Sequence, residues 1–285
     1  MMNSGNKNKT LLLIFLYLSF FTGINAQQIR EVSIHSDKMG IDVNNIVILP
    51  DNYNSSISKK YPVIYLLHGH GGNERSMLNI KPNLPRLATQ HEVIFVCPDG
   101  KVSWYWNSPI NPKSQYETYI SKELIDYIDT HYRTMPFRSA RAVTGFSMGG
   151  HGALWMAVKH ADAFGAAGSM SGGVDIRPFP RNWNMADAIG EYALNKTTWN
   201  NHTIATHVDD LRKISPNLII DCGQDDFFLT VNESLHRELL NKKIIHTYIT
   251  SPGKHNPTYW NKALNAQLAF FIDCFATIKV SELVY

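Results

Sequence analysis

Two hydrophobic periodicities alternate along this chain. Ile29 to Pro50 carries short β-rich runs, and Asp51-Asn52-Tyr53-Asn54 reads as a turn, so two antiparallel strands are expected to lead in. Tyr61-Pro62-Val63-Ile64-Tyr65-Leu66-Leu67 is a near-continuous apolar run that ends in His68-Gly69-His70-Gly71-Gly72. That is the pattern of a strand buried on both faces and followed by a tight turn. Val93 to Pro98 repeats it. Between Tyr116 and Tyr132 the period changes: Ile120, Leu124, Tyr127 and Ile128 recur at helical spacing, with Glu117, Lys122, Glu123 and Asp126 elsewhere. A strand at Ala142-Val143-Thr144, a helix from Gly149 to Lys159, a small-residue strand from Gly165 to Met170 and a strand from Leu218 to Cys222 follow. A helix from Leu229 to Leu240, a strand from Ile244 to Thr250 and a closing helix from Thr258 to Phe275 complete the order.

Strands alternating with helices predict an α/β fold, a mostly parallel central sheet with helices on both faces. No linker, repeat or low-complexity tract divides the chain, so residues 27–285 are read as one domain. The irregular stretch is Gly172 to Pro216, rich in Asn, Pro and Trp, with a weak helix near Met185 to Leu194. A connection this long between two sheet strands is expected to form a cap over a site.

Composition narrows the classes further. With 44% hydrophobic and 18% charged residues the chain is globular. Its 27 basic and 24 acidic residues nearly balance, and no Lys/Arg run is interleaved with aromatics, so a nucleic-acid partner is not expected. The N-terminus has the plan of a signal peptide: Lys7 and Lys9, an apolar core from Thr10 to Thr22, and a small residue, Ala26, at the cut. Residues 1–26 are therefore expected to be removed on export to the periplasm or beyond, leaving Gln27 first and no stable membrane insertion; the apolar core falls short of the ~18 residues a spanning helix needs. Three cysteines, Cys97, Cys222 and Cys274, are too few for a disulfide framework, and two lie in strand-like runs as small hydrophobes.

The candidate chemistry begins at Gly145-Phe146-Ser147-Met148-Gly149, a G-x-S-x-G sequence with a predicted strand before it and a predicted helix after it. In that context a strand turns sharply into a helix and holds a serine hydroxyl at the top of the sheet. Serine is a poor nucleophile alone and needs a histidine base and an orienting acid, in the chain order Ser, Asp/Glu, His. Asp225-Asp226 directly follows the Leu218 to Cys222 strand, and His255 follows the next strand in a glycine-containing loop. Loops at strand ends are where such sheets bind ligands. His236 and His246, within a helix and a strand, are weaker candidates. A developing oxyanion needs backbone donors, one from the residue after the serine, Met148, and one from the turn at His68 to Gly72, foremost the amide of His70. A metal at His68 and His70 is not expected, because no third ligand stands near them.

These segments together resemble the esterase family of α/β hydrolases, which includes feruloyl and acetylxylan esterases of carbohydrate esterase family 1, tributyrin-type esterases, S-formylglutathione hydrolases, enterochelin esterases and mycolyltransferases. The resemblance runs from Tyr61-Pro62-Val63-Ile64-Tyr65-Leu66-Leu67-His68-Gly69, through Ser103-Trp104-Tyr105, Tyr116-Glu117-Thr118-Tyr119-Ile120 and Gly145-Phe146-Ser147-Met148-Gly149-Gly150, to Asp221-Cys222-Gly223-Gln224-Asp225-Asp226 and Gly253-Lys254-His255. It implies the α/β-hydrolase fold, a triad of Ser147, Asp226 and His255, and oxyanion amides at His70 and Met148. The register three residues beyond Gly223 is what selects Asp226 over Asp225. One departure is Asn256, where the family frequently has Asp.

The resemblance further implies acyl transfer through a serine ester, with no cofactor or metal, on a small-molecule or polysaccharide ester. Export favours an ester met outside the cytoplasm, such as an acetyl or feruloyl group on plant polysaccharide, over the glutathione thioester role. Of the aromatics Trp104, Tyr105, Trp106, Trp183, Trp199 and Trp260, the loop residues Trp104, Trp106 and Trp183 are expected to bind substrate. An acyltransferase would share every residue named, as would a short-chain esterase without carbohydrate preference. A catalytically dead binding relative is disfavoured by the intact triad.

Overall fold

A computed structural model describes residues 28–278; the expected signal peptide, residues 1–26, lies outside them. Eight strands form one sheet in the order β1-β2-β4-β3-β5-β6-β7-β8. They are β1 (Ile29–Ser36), β2 (Ile41–Ile48), β3 (Val63–Leu67), β4 (Ile94–Pro98), β5 (Arg141–Phe146), β6 (Ala166–Met170), β7 (Leu218–Gly223) and β8 (Thr247–Ser251). β1 and β2 are antiparallel to their neighbours, and every other pair is parallel. The mostly parallel sheet of the sequence reading is therefore present, with an antiparallel hairpin at one edge.

The apolar runs are continuous because alternate residues serve two cores. Val63, Tyr65 and Leu67 of β3 enter the core on one face of the sheet, and Ile64 and Leu66 enter the core on the other. Ile94 and Val96 of β4 part from Phe95 and Cys97 in the same way. The helices are α1 (Ser76–Ile80), α2 (Leu84–His91), α3 (Tyr116–Thr118), α4 (Leu124–His131), α5 (Met148–Lys159), α6 (Met185–Ile189), α7 (Lys196–Asn201), α8 (Leu229–Asn241) and α9 (Pro257–Ala276). Apolar residues of α1, α2 and α9 fill one core; those of α4, α5 and α8 fill the other.

Several local readings change. The hairpin turn is at Gly40, where φ is +64°, while Asp51–Ser55 is a short 3-10 helix. The amphipathic stretch after Tyr116 is one helical rod in which Tyr119–Glu123 forms a π turn between α3 and α4. α2, for which the sequence reading named no element, buries Leu84, Pro85, Leu87 and Ala88 on one face, with Pro85 in the first turn where it needs no amide partner. β8 begins three residues later than Ile244, which is buried in the turn out of α8.

The expected cap is mostly a packed layer. Val174, Ile176, Met185, Ile189, Trp199, Ile204 and Leu211 are buried in the same core as α5. Within this long connection, only Trp183 lines the cleft described below.

Candidate active site

β5 ends and α5 begins with no loop between them except Ser147. Its backbone sits at φ +58°, ψ −118°, a conformation that costs a non-glycine residue of order 1–3 kcal/mol. The surroundings enforce it: the Ser147 amide donates to the Met170 carbonyl at 2.9 Å, and the His151 amide donates to the Ser147 carbonyl at 3.1 Å. Glycine at 149 is a steric requirement, since a Cβ there would stand 2.1 Å from the Leu67 carbonyl oxygen. The helix can thus start directly against the end of β3.

The structure brings Ser147, His255 and Asp226 into one chain of hydrogen bonds. Ser147 Oγ lies 2.9 Å from His255 Nε2, and His255 Nδ1 lies 2.8 Å and 3.0 Å from the two Asp226 oxygens. A carboxylate only accepts, so Nδ1 carries the proton and Nε2 is left as a base toward the serine. The carboxylate is fully buried and the imidazole 13% exposed. Asp226 is oriented by the Phe228 amide, which donates to Oδ1 at 2.8 Å. Asp225 is exposed, and its backbone amide donates to the Gly253 carbonyl at 2.9 Å. Asn256 caps α9 by accepting the Tyr259 amide on Oδ1 at 3.0 Å, a task Asn and Asp perform equally well.

Next to the serine, the turn after β3 packs on the elbow. A Cβ at Gly69 would lie 2.7 Å from the Phe146 ring and 3.3 Å from Ser147 Cβ. Met148 is the first residue of α5, and the first amides of a helix have no intrahelical acceptor. Among the described residues no backbone carbonyl takes up the amide of Met148 or of His70. The turn is braced from behind: the Gly100 amide donates to His68 Nε2 at 2.8 Å, and Tyr105 Oη donates to the His68 carbonyl at 3.0 Å. His70 turns the other way, its Nε2 3.0 Å from Asn184 Oδ1. Among the described residues no three His, Cys, Asp or Glu side chains form a group able to hold a metal.

Ser147 and His255 open on a cleft of about 540 Å³ whose walls include His70, Phe146, Trp183, Phe227, Pro257 and Trp260. The aromatic walls are continuous: Phe227 stacks on Trp183 with centroids 5.6 Å apart, and Phe146 stacks on Trp260 at 4.4 Å. Trp183 is thus where a substrate could touch it.

Trp104 and Trp106 require correction. They are 1% and 0% exposed and stack on each other 5.4 Å apart, so neither offers a face to a substrate. Their indole N–H groups are satisfied inside, Trp104 by the Trp183 carbonyl at 3.0 Å and Trp106 by His151 Nε2 at 2.8 Å. They form the floor that holds Trp183 and α5 in place. Burial pushes His151 down to about 3, which keeps it a neutral acceptor for Trp106. Phe227, 52% exposed, went unnoticed in the sequence, although its position directly after the acid was a usable signal. Trp260, weighed among the aromatics and passed over for the loop tryptophans, also lines the cleft.

The family model described as "Putative esterase" matches residues 36–271. The chain belongs to this esterase family. Within it, Esterase Rv1288 of Mycobacterium tuberculosis is 38% identical over 236 residues, covering 73% of this chain and 51% of that protein. The chain thus spans about half the length of that relative. An acetyl esterase of Caldicellulosiruptor saccharolyticus is 24% identical, covering 82% of this chain and 94% of its own. Among solved structures, the fluorophosphonate-binding serine hydrolase F of Staphylococcus aureus superposes with TM-score 0.76 at 25% identity, covering 86% of this chain and 98% of that one. A ferulic acid esterase superposes with TM-score 0.73 at 27% identity, covering 87% and 98%. The fold of this esterase-family chain is accordingly that of the α/β hydrolases.

Proposed function

We propose that this protein is an exported serine carboxylic-ester hydrolase that removes acyl groups, acetyl or feruloyl, from plant polysaccharide or related esters. The observation that carries the reading is the unbroken relay from Ser147 through His255 to a buried Asp226, with its serine end open to the cleft. Ser147 Oγ attacks the ester carbonyl carbon while its proton passes to His255 Nε2. Asp226 stabilises the imidazolium, and the amides of His70 and Met148 receive the oxyanion. Collapse of the tetrahedral adduct breaks the bond to the alcohol oxygen, which takes the proton from His255. Water then repeats the sequence on the acyl-serine, its proton returning through His255 to Ser147 Oγ as the acid leaves.

Two neighbours support the acyl classes: one relative is named an acetyl esterase and one solved structure a ferulic acid esterase. The aromatic walls around Phe227, Trp183 and Trp260 favour a planar, apolar acyl group over a methyl group, since stacked rings reward area. The test is turnover of acetylated xylan, feruloylated arabinoxylan and short triglycerides, with products followed in the presence and absence of acceptor alcohols. Hydrolysis that an acceptor alcohol fails to divert supports the proposal; acyl transfer that needs the acceptor would replace it with an acyltransferase. Export rests on the signal-like sequence at residues 1–26. Mass spectrometry of the secreted protein should find Gln27 first, and residues upstream of it would contradict export with cleavage.

A further inference from the structure

Asp226 and His255 come from two different loops, one after β7 and one after β8, and the proposed reaction needs them held in register. The backbones of these loops are laced together: the Gln224 amide donates to the Ser251 carbonyl at 3.0 Å, and the Asp225 amide to the Gly253 carbonyl at 2.9 Å. Both loops turn on glycines that leave no room for a side chain. A Cβ at Gly223 would stand 2.4 Å from the Gly253 carbonyl oxygen, and one at Gly253 would stand 2.3 Å from the ring of Tyr259. The space between the hinges is filled by that ring.

Tyr259 belongs to the first turn of α9 and is 4% exposed. Its hydroxyl donates to Oδ1 of Asp221, a carboxyl 2% exposed inside β7, and Ser251 Oγ of β8 lies 3.5 Å from the tyrosine hydroxyl. Its amide is held by Asn256, the neighbour of His255. One side chain therefore touches the strand that precedes the acid, the strand that precedes the base, and both hinge glycines. A buried carboxyl inside a strand is costly, and neither it nor the phenol reaches the cleft or takes part in the proposed proton transfers.

We propose that Tyr259 is a positioning residue for the reaction, bolting α9 to Asp221 so that the loops carrying Asp226 and His255 keep the geometry of their hydrogen bond. The inference rests on the proposed esterase reading for its kinetic consequence, though not for its structural one. Positioning errors of a fraction of an ångström weaken a step that depends on alignment while leaving substrate binding in the cleft intact.

Tyr259→Phe keeps the ring between the glycines and removes only the bolt. On nitrophenyl acetate it is expected to lower kcat about tenfold with KM changed less than about twofold. The downfield proton resonance of His255 Nδ1 should broaden or move upfield, a readout that needs no turnover. Because this substitution leaves Asp221 buried without a donor, lower stability has to be separated from lost positioning. The double variant Tyr259→Phe with Asp221→Leu replaces the pair by apolar groups and should restore the thermal midpoint. Low kcat persisting in that double variant supports the bolt; kcat recovering with the midpoint overturns it, as does an unchanged Nδ1 resonance in Tyr259→Phe. Wild-type protein with no turnover on any ester would sink the esterase reading alone, leaving the resonance to decide on the bolt.

Discussion

Phe227 lays its ring against the imidazole of His255, with centroids 4.2 Å apart and planes inclined by 37°. Its other side stacks on Trp183, and it is the next residue after the buried Asp226. One short loop thus supplies the acid behind the histidine and an apolar wall beside it. Phe227→Ala should therefore lower the ratio of kcat/KM for methyl ferulate over nitrophenyl acetate by roughly 2- to 10-fold, the loss of one stacked ring face. Phe227→Tyr should keep most of that ratio. A ratio unmoved by Phe227→Ala would place the acyl group elsewhere in the cleft.

Ser147→Ala should abolish turnover of short acyl esters and leave the fold intact, because the hydroxyl faces the cleft and supports no packing. Circular dichroism and the thermal midpoint check the second half. Retained turnover would refute the proposed chemistry outright. An organophosphonate probe should add its mass to the peptide containing Ser147 in the wild type alone.

Asp226→Asn is expected to reduce kcat/KM by at least roughly 10²-fold and Asp225→Asn by less than about tenfold, measured on one ester near pH 7.5. The contrast follows from where the side chains lie: the first carboxylate is sealed against Nδ1, the second is in solvent. If the two variants exchange ranks, the acid is the neighbour.

His70→Ala should cost much less than His255→Ala. Only the backbone amide of His70 is assigned to the oxyanion, and its imidazole is engaged with Asn184 at the rim. Equal losses in kcat would mean that the His70 ring itself acts on the substrate.

Burial raises the Asp221 carboxyl to about 6, so the native state prefers it neutral. The sign follows from linkage: its contribution to stability is complete below the unfolded value of 3.8 and is lost as pH rises through about 6, a change of up to about 3 kcal/mol. Asp221→Asn has no such titration and still offers an oxygen to Tyr259. Its thermal midpoint relative to wild type should thus climb by several degrees between pH 4.5 and 7.5. A difference that stays flat, or shrinks, would show that Asp221 is ionised throughout.

Much of this was legible because the strands are buried on both faces. Runs such as Val63 to Leu67 admit few other readings, and that run leads directly into the turn that carries His70. Ser147 announces itself through Gly145 and Gly149, whose lack of side chains the packing against Leu67 demands. Choosing Asp226 over Asp225 took a family register, since adjacent loop residues look alike until their side chains are placed. Trp104 and Trp106 misled because sequence shows that a loop is aromatic and not which way its rings turn. There the chain adopts positive φ at Trp104 and Tyr105, and the indoles find buried partners. Tyr259 was silent for the opposite reason: its partner Asp221 is 38 residues away, and nothing local links them.

The fate of the tryptophans has a practical side. Of six in the chain, Trp104, Trp106, Trp155 and Trp199 are at most 2% exposed and Trp260 is 9% exposed, while Trp183 alone is half-buried at the cleft. Collisional quenchers in solution will reach that one indole before the others. Acrylamide quenching of the intrinsic fluorescence therefore reports on a single wall of the cleft, and a bound acid or ester analogue that covers Trp183 will be seen as protection from quenching, in the Ser147→Ala protein as readily as in the wild type.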